Sequence, residues 1–438
     1  MMRRSLPVVA TGLVALMLAG CGAIGSLNPF DRKEEILPGE RRAVMTTETA
    51  APAGGSPSVG GASASADWSQ PGGNPANSPG HVALAGSGGS VAWRARVAEA
   101  AGKRGERPSV PPLIYGGRIF VYDAGGVVSS LTAGGGKQWS VSVAPEGEKG
   151  RAIGGGIAAS GNAIFVASGY GEVVALDAAT GGRIWTSKIS GPARSAPTAA
   201  DGKVYVVTST TVLHALNQSD GTEAWQYPGI PEAAGVLSAA SPAVSGDTVV
   251  VPYSSGEVIA FNTATGELKW ADAAIRSTRT LAVSGITDVA ASPVISDGVV
   301  YASGVGGRTI AVRLGSGERV WEQSIGSAST PVVSGNAVFI IDLQDNLVAM
   351  DRASGEIYWK TALPVVRKKK FFSVWSGPTL AGGALWAVSN DGNMAAVDPG
   401  SGNIVSTGKL SSPAYIKPVA ASGQLLVLSG DGTLTAYQ

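Results

Sequence analysis

Few side chains in this 438-residue sequence are suited to covalent or metal chemistry. There is one cysteine, Cys21, and there are two histidines, His81 and His214. A phrase built on a carboxylate or amide, a glycine and a tryptophan recurs as GEVVALDAATGGRIW, GEVIAFNTATGELKW and DNLVAMDRASGEIYWK. Its oxygen donors, Asp177, Asn262, Asp351 and Asp398, can accept backbone hydrogen bonds within a turn. A calcium ion requires about six to eight oxygen ligands, and no clustered acidic motif supplies them. His214 sits inside an apolar run, where a packed side chain is the simpler reading. The run RKKKFF at 367–372 offers four cations and two aromatic rings. It suits an acidic partner or an anionic membrane surface, or else a solvated loop whose phenylalanines cover an edge.

The elements that must position these residues are strands. Glycine at 62 residues is abundant, charged residues are only 15%, and the 44% hydrophobic fraction is rich in Val and Ala. That composition describes turn-rich β structure. A net charge of +1 gives no electrostatic case for nucleic acid. Tryptophan recurs at Trp93, Trp139, Trp185, Trp225, Trp270, Trp321 and Trp359, with spacings between 38 and 51 residues. These are the periods of a four-stranded propeller blade. One unit, SAPTAADGKVYVVTSTTVLHALNQSDGTEAWQY, contains four short β-type runs separated by DG, ST and SDG turns. Seven such units fit between residues 110 and 410, with Val405 in the tryptophan place of the last-formed outer strand.

The final copy, IKPVAASGQLLVLSGDGTLTAYQ, has only three strands, and SVAWRARV at 90–97 supplies the missing fourth. The fold expected is therefore all-β: an eight-bladed β-propeller with four-stranded blades, closed by both termini so that no sheet edge is left unfinished. Each tryptophan is expected to pack between neighbouring blades, and Gly181, Gly221, Gly266, Gly317, Gly355 and Gly402 to occupy turn positions.

The amino terminus is set apart from this body. MMRR followed by LPVVATGLVALML and LAGC resembles a bacterial lipoprotein signal, cleaved before a lipidated Cys21. The apolar run is shorter than the roughly 20 residues that span a bilayer. Cleavage would change the formal charge from +1 to −1, and Gly22 after the cysteine favours the outer membrane by resemblance. Residues 1–20 are thus read as signal, 21–66 as a lipidated flexible tether rich in Gly, Ser and Ala, and 67–438 as the propeller.

The repeat resembles the tryptophan-docking motif of pyrroloquinoline quinone (PQQ) dehydrogenases. That alternative implies PQQ, calcium and often a vicinal disulfide, which a single cysteine cannot form. The combination of lipobox, tether, eight blades and split closure more closely resembles the BamB family, lipoprotein subunits of the bacterial outer-membrane β-barrel assembly machinery. That resemblance implies a non-enzymatic periplasmic scaffold without a cofactor, anchored to the outer membrane. Its partners would be a BamA-like insertase, other assembly subunits and unfolded outer-membrane proteins.

The family's partner-binding loops map to AAGVLSAASP at 233–242 and VSGITDVAASP at 283–293. Leu237 stands where the family has an arginine, Asp288 matches its first acidic position, and Ala290 replaces the second. The contact expected is apolar, from Val236, Leu237 and Ile286, with one polar restraint from Asp288. Arg276 and Arg279 in the long insertion are secondary contacts. The alternative for these loops is cover for the local core, and a third functional class is a carbohydrate- or peptidoglycan-binding propeller.

Overall fold

Local alternation and turn chemistry write each blade. In the third, the strands Thr198–Ala200, Lys203–Val207, Val212–Asn217 and Glu223–Pro228 pair antiparallel in chain order. The two middle strands are buried along their centres because neighbouring blades cover both faces. The outer strand alternates exposed and half-buried residues. This computed structural model describes residues 53–99, 110–148, 154–230, 240–274, 291–365 and 373–438.

Eight such four-stranded sheets make an all-β, eight-bladed propeller. In the eighth, Val91–Arg96 joins Thr433–Tyr437 as the outer strand, with Trp93 opposite Ala436 and Arg94 opposite Thr435. Both ends of the repeat are thereby consumed in one sheet, as the split copies anticipate.

The seams between blades explain the recurring tryptophans. Each ring lies on the glycine that closes the third turn of the following blade. A Cβ built on Gly181, Gly266 or Gly355 would stand 2.7 Å from the rings of Trp139, Trp225 and Trp321, respectively. These glycines also have φ between +74° and +77°, a region costly for other residues. Six indoles donate Nε1–H across the seam, among them Trp185 to Gln218 O at 2.9 Å and Trp359 to Pro399 O at 3.1 Å. Trp93 has no such acceptor. The turn it meets closes with Gly135 N on Thr132 O, one residue shorter than the Asp177–Gly181 type. Asp177, Asn262, Asp351 and Asp398 each accept backbone N–H bonds inside their own turns, so their oxygens serve the turn.

The tether expected to extend through Ala66 is engaged earlier than composition suggests. Ser58 N donates to Asn336 Oδ1 at 2.6 Å, Gly60 N to Ser334 Oγ at 3.1 Å, and Ser422 N to Ser65 O at 2.7 Å. From there the segment winds round the inner ring. It bonds the first blade at Ile114, the second at Ala159, the third at Ala199, the fourth at Val244, the fifth at Ile295 and the seventh at Leu380. Small residues and glycines hide this role, because most of these contacts are made by backbone groups that any sequence carries. Trp68, only 1% exposed, is the segment's largest buried anchor.

Candidate functional site

The two loops expected to bind a partner span equivalent connections, from the outer strand of one blade to the inner strand of the next. Their described stems therefore lie on the same face of the ring. Val236, Leu237, Arg276, Arg279, Ile286 and Asp288 lie outside the described residues, as do Cys21 and the basic run 367–372. The stems of the loops are described, and they are held together.

Pro242 and Pro293 immediately precede the inner strands Ala243–Ser245 and Val294–Ser296. One amide, Asn77 Nδ2, donates to both proline carbonyls, at 3.2 and 2.9 Å. Ser241 N donates to Ser292 Oγ at 2.9 Å, and Thr198 Oγ1 donates to Pro242 O at 2.7 Å. Asn77 is 1% exposed and adopts φ of 55°, which asparagine tolerates better than most residues. Its place is fixed by its neighbours: Pro75 O accepts from Val244 N and Ala76 O from Ile295 N, at 2.7 and 2.9 Å. The inner segment thus works as a clasp between the fourth and fifth blades.

The other end of the longer loop is held from outside. Arg319 donates Nε–H to Asp272 Oδ2 at 3.0 Å and Nη2–H to Ala273 O at 3.1 Å, and it also bonds Glu322. Hydrogen bonding to Asp272 pushes the guanidinium above its ordinary pKa against the opposing effect of burial. The cation is permanent, and it neutralises a carboxylate where the insertion begins. Ile230, next to the shorter loop, is 60% exposed. An exposed apolar side chain thus stands beside clamped stems. Among the described residues there is no group of three His, Cys, Asp or Glu that could hold a metal ion.

The histidines are both placed by hydrogen bonds. Gly383 N donates to His81 Nε2 at 2.9 Å, leaving Nδ1–H for Gly60 O at 2.8 Å, so His81 ties the inner segment to the seventh blade. His214 is buried, as its strand position suggests, but it is also bonded to Ser190 and Glu223. Sequence spacing gives no hint of that cluster, since Ser190 comes from the preceding blade. The Asn77 clasp was equally hidden, because QPGGNPANSPG reads as a turn-rich linker.

These features define a class: an eight-bladed propeller of tryptophan-docked repeats whose inner ring is threaded by its own amino-terminal segment. The family model described as outer membrane protein assembly factor BamB matches residues 124–361, more than half of the sequence. The chain belongs to that family.

Among relatives, it is 32% identical over 224 residues to outer membrane protein assembly factor BamB of Yersinia pestis, covering 50% of this chain and 57% of the relative. The Escherichia coli K12 protein of the same name is 27% identical over 245 residues, covering 55% and 62%. The matched part thus spans less than two thirds of either relative. Among solved structures, BamB from Moraxella catarrhalis gives a TM-score of 0.66 at 20% identity, covering 80% of this chain and 99% of that one. A quinohemoprotein alcohol dehydrogenase from Comamonas testosteroni gives 0.66 at 13% identity, covering 86% and 81%. At such identities these likenesses speak of the fold alone.

Proposed function

We propose that this protein is a periplasmic scaffold of the outer-membrane β-barrel assembly machinery, attached to the outer membrane through lipid on Cys21. It binds a BamA-like insertase through the loops at 233–242 and 283–293 and aids delivery or insertion of unfolded outer-membrane proteins. That role works by binding and spatial organisation and needs no covalent step.

The observation that carries the reading is the shared clasp: Asn77 holds Pro242 and Pro293 by one amide. Two loops fixed side by side at their stems lose less freedom on binding than two independent ones, and such preorganisation favours affinity. Gln70 supports the same reading against an axial cofactor. Its amide bonds both Ala159 O and Ala199 O, at 3.0 and 3.1 Å, so the chain itself occupies backbone groups of the inner ring.

The test is photo-crosslinking in the native envelope from Leu237 and from Asp288, with Ile184 on an outer strand, 52% exposed, as the control position. Capture of the insertase from both loops and not from Ile184 is expected. If neither loop captures it in protein that is folded and correctly localised, the interface is wrong.

A further inference from the structure

We propose that Ser190 is a nucleophilic modification site, with His214 as its general base and Glu223 as the residue that positions the base, accepting an acyl group from a small activated ester. The proposal is independent of the scaffold reading and concerns the opposite side of the third blade's sheet from its docked tryptophan.

His214 lies in the strand Val212–Asn217 and is 4% exposed. Its Nδ1 is 2.6 Å from Glu223 Oε1, and its Nε2 is 2.9 Å from Ser190 Oγ. A bulge between Ala215 and Leu216 makes this arrangement. Gln226 is opposite His214 and Glu223 is opposite Leu216, although Glu223 and Gln226 are three residues apart. Strict alternation would put those two on different faces; the extra residue brings Glu223 to the face of His214. Ser190 lies just beyond the outer strand Arg183–Lys188 of the second blade and reaches across the seam.

The direction of the hydrogen bonds is fixed by chemistry. An ionised Glu223 only accepts, so His214 Nδ1 carries the proton. Ser190 N–H points at Nε2 from 3.3 Å and can only donate, so Nε2 presents its lone pair. The Ser190 hydroxyl must then donate to Nε2, which is the polarity of a nucleophile held by its base and of a base held by a carboxylate. Two independent partners select the same tautomer.

Access matches the chemistry. Ser190 is exposed while the imidazole is buried, so a reagent meets the hydroxyl first. The next residue, Gly191, has no side chain to obstruct the approach. The hydroxyls of Thr210 and Ser209, from the third blade, lie 3.4 and 3.9 Å from where its Cβ would be, so polar groups face the hydroxyl's neighbour across the seam.

In the step, Ser190 Oγ attacks the ester carbonyl carbon and forms the O–C bond as its proton passes to His214 Nε2. Collapse of the tetrahedral adduct breaks the bond to the leaving oxygen, which takes that proton from Nε2 and departs as the alcohol. The acyl group remains on Ser190, and no oxidant or reductant is required.

The experiment treats the full chain with p-nitrophenyl acetate and maps acetylation by peptide mass spectrometry, with exposed Ser142 as the internal reference. Ser190 is expected to react about a hundredfold faster than Ser142, the usual reach of positioned general-base catalysis. His214→Gln should remove that advantage. Glu223→Gln, at a side chain 41% exposed, should keep the fold and slow acetylation of Ser190 at least about tenfold, because the imidazole is no longer held in the tautomer that accepts from Ser190, and Glu223→Asp should restore part of the rate. A purely structural pin would leave the Ser190 rate equal to that of Ser142 in all three proteins. Equal rates at Ser190 and Ser142 in the wild type, or a Ser190 rate unchanged by Glu223→Gln, would overturn the proposal.

Discussion

Asp177 and Asp398 close equivalent turns in different blades, and each is held by the hydroxyl and N–H of the residue three places on. Asp177 Oδ1 accepts from Thr180 N at 2.8 Å and Thr180 Oγ1 at 2.7 Å; Asp398 Oδ1 accepts from both groups of Ser401 at 2.7 Å. These bonds, led by the side-chain hydroxyl, draw both carboxyls below their ordinary pKa. A depressed folded pKa contributes stability that is present above the unfolded value of about 3.9 and is lost as pH falls through the folded value. Asn262 makes the same turn contacts without a charge, with Thr265 N at 3.0 Å. The double variant Asp177→Asn, Asp398→Asn should therefore fold normally at pH 7. Its stability relative to wild type, followed by urea denaturation, should rise as pH falls from 5 to 2. A difference that stays constant with pH would show that the carboxylates are not what holds the turns.

At the scale of elements, the inner segment 53–90 joins loops that the blades alone would leave independent. Asn77→Ala removes both amide bonds at once and leaves the buried carbonyls of Pro242 and Pro293 with fewer partners. A loss of about 2–3 kcal/mol is expected from unsatisfied buried groups. Hydrogen exchange should rise at Ser241, Val244 and Ile295, whose amides sit in or beside the clasp, and should not rise in the first blade. Unchanged exchange at these three amides would mean that the blades hold the stems without help.

The blades were legible in the sequence because period-two runs and glycine turns are local signals, repeated often enough to confirm one another. The clasp was not. Its bonds join residues 165 and 216 positions apart, and the acceptors are backbone carbonyls with no sequence signature. Resemblance to a family suggested which loops to propose as partner-binding, but composition offered no reason for their stems to be tied together. The Ser190–His214–Glu223 cluster was hidden in another way, through a bulge that reverses the facing expected of Glu223.

Across the whole ring, the eight seams are not equivalent. Seven have a tryptophan lying on a glycine of the next blade, from Trp93 on Gly135 round to Trp359 on Gly402. The remaining seam runs from the seventh blade to the eighth. There the eighth blade has no turn joining its third and fourth strands, because Thr433–Tyr437 ends one terminus of the repeat and Val91–Arg96 begins the other. The tryptophan place in the seventh blade is Ser406 and not the expected Val405: Ser406 pairs with Ala396 just before the bulge, as Trp359 pairs with Ala349. A tryptophan there would have nothing to dock on, and the strand Ile404–Lys409 is exposed at every residue. The absence of tryptophan at 406 thus follows from where the ring is cut. Ser406→Trp should leave the denaturation midpoint nearly unchanged, within the roughly 0.5 kcal/mol usual for surface substitutions. Trp359→Val, which discards the indole bond to Pro399 O and the ring contact with Phe339 at 5.9 Å, should cost about 3 kcal/mol or more. A stabilising Ser406→Trp would show that the seam accepts a docked ring without the turn, and the glycine–tryptophan pair would then cease to explain the positions of the other seven.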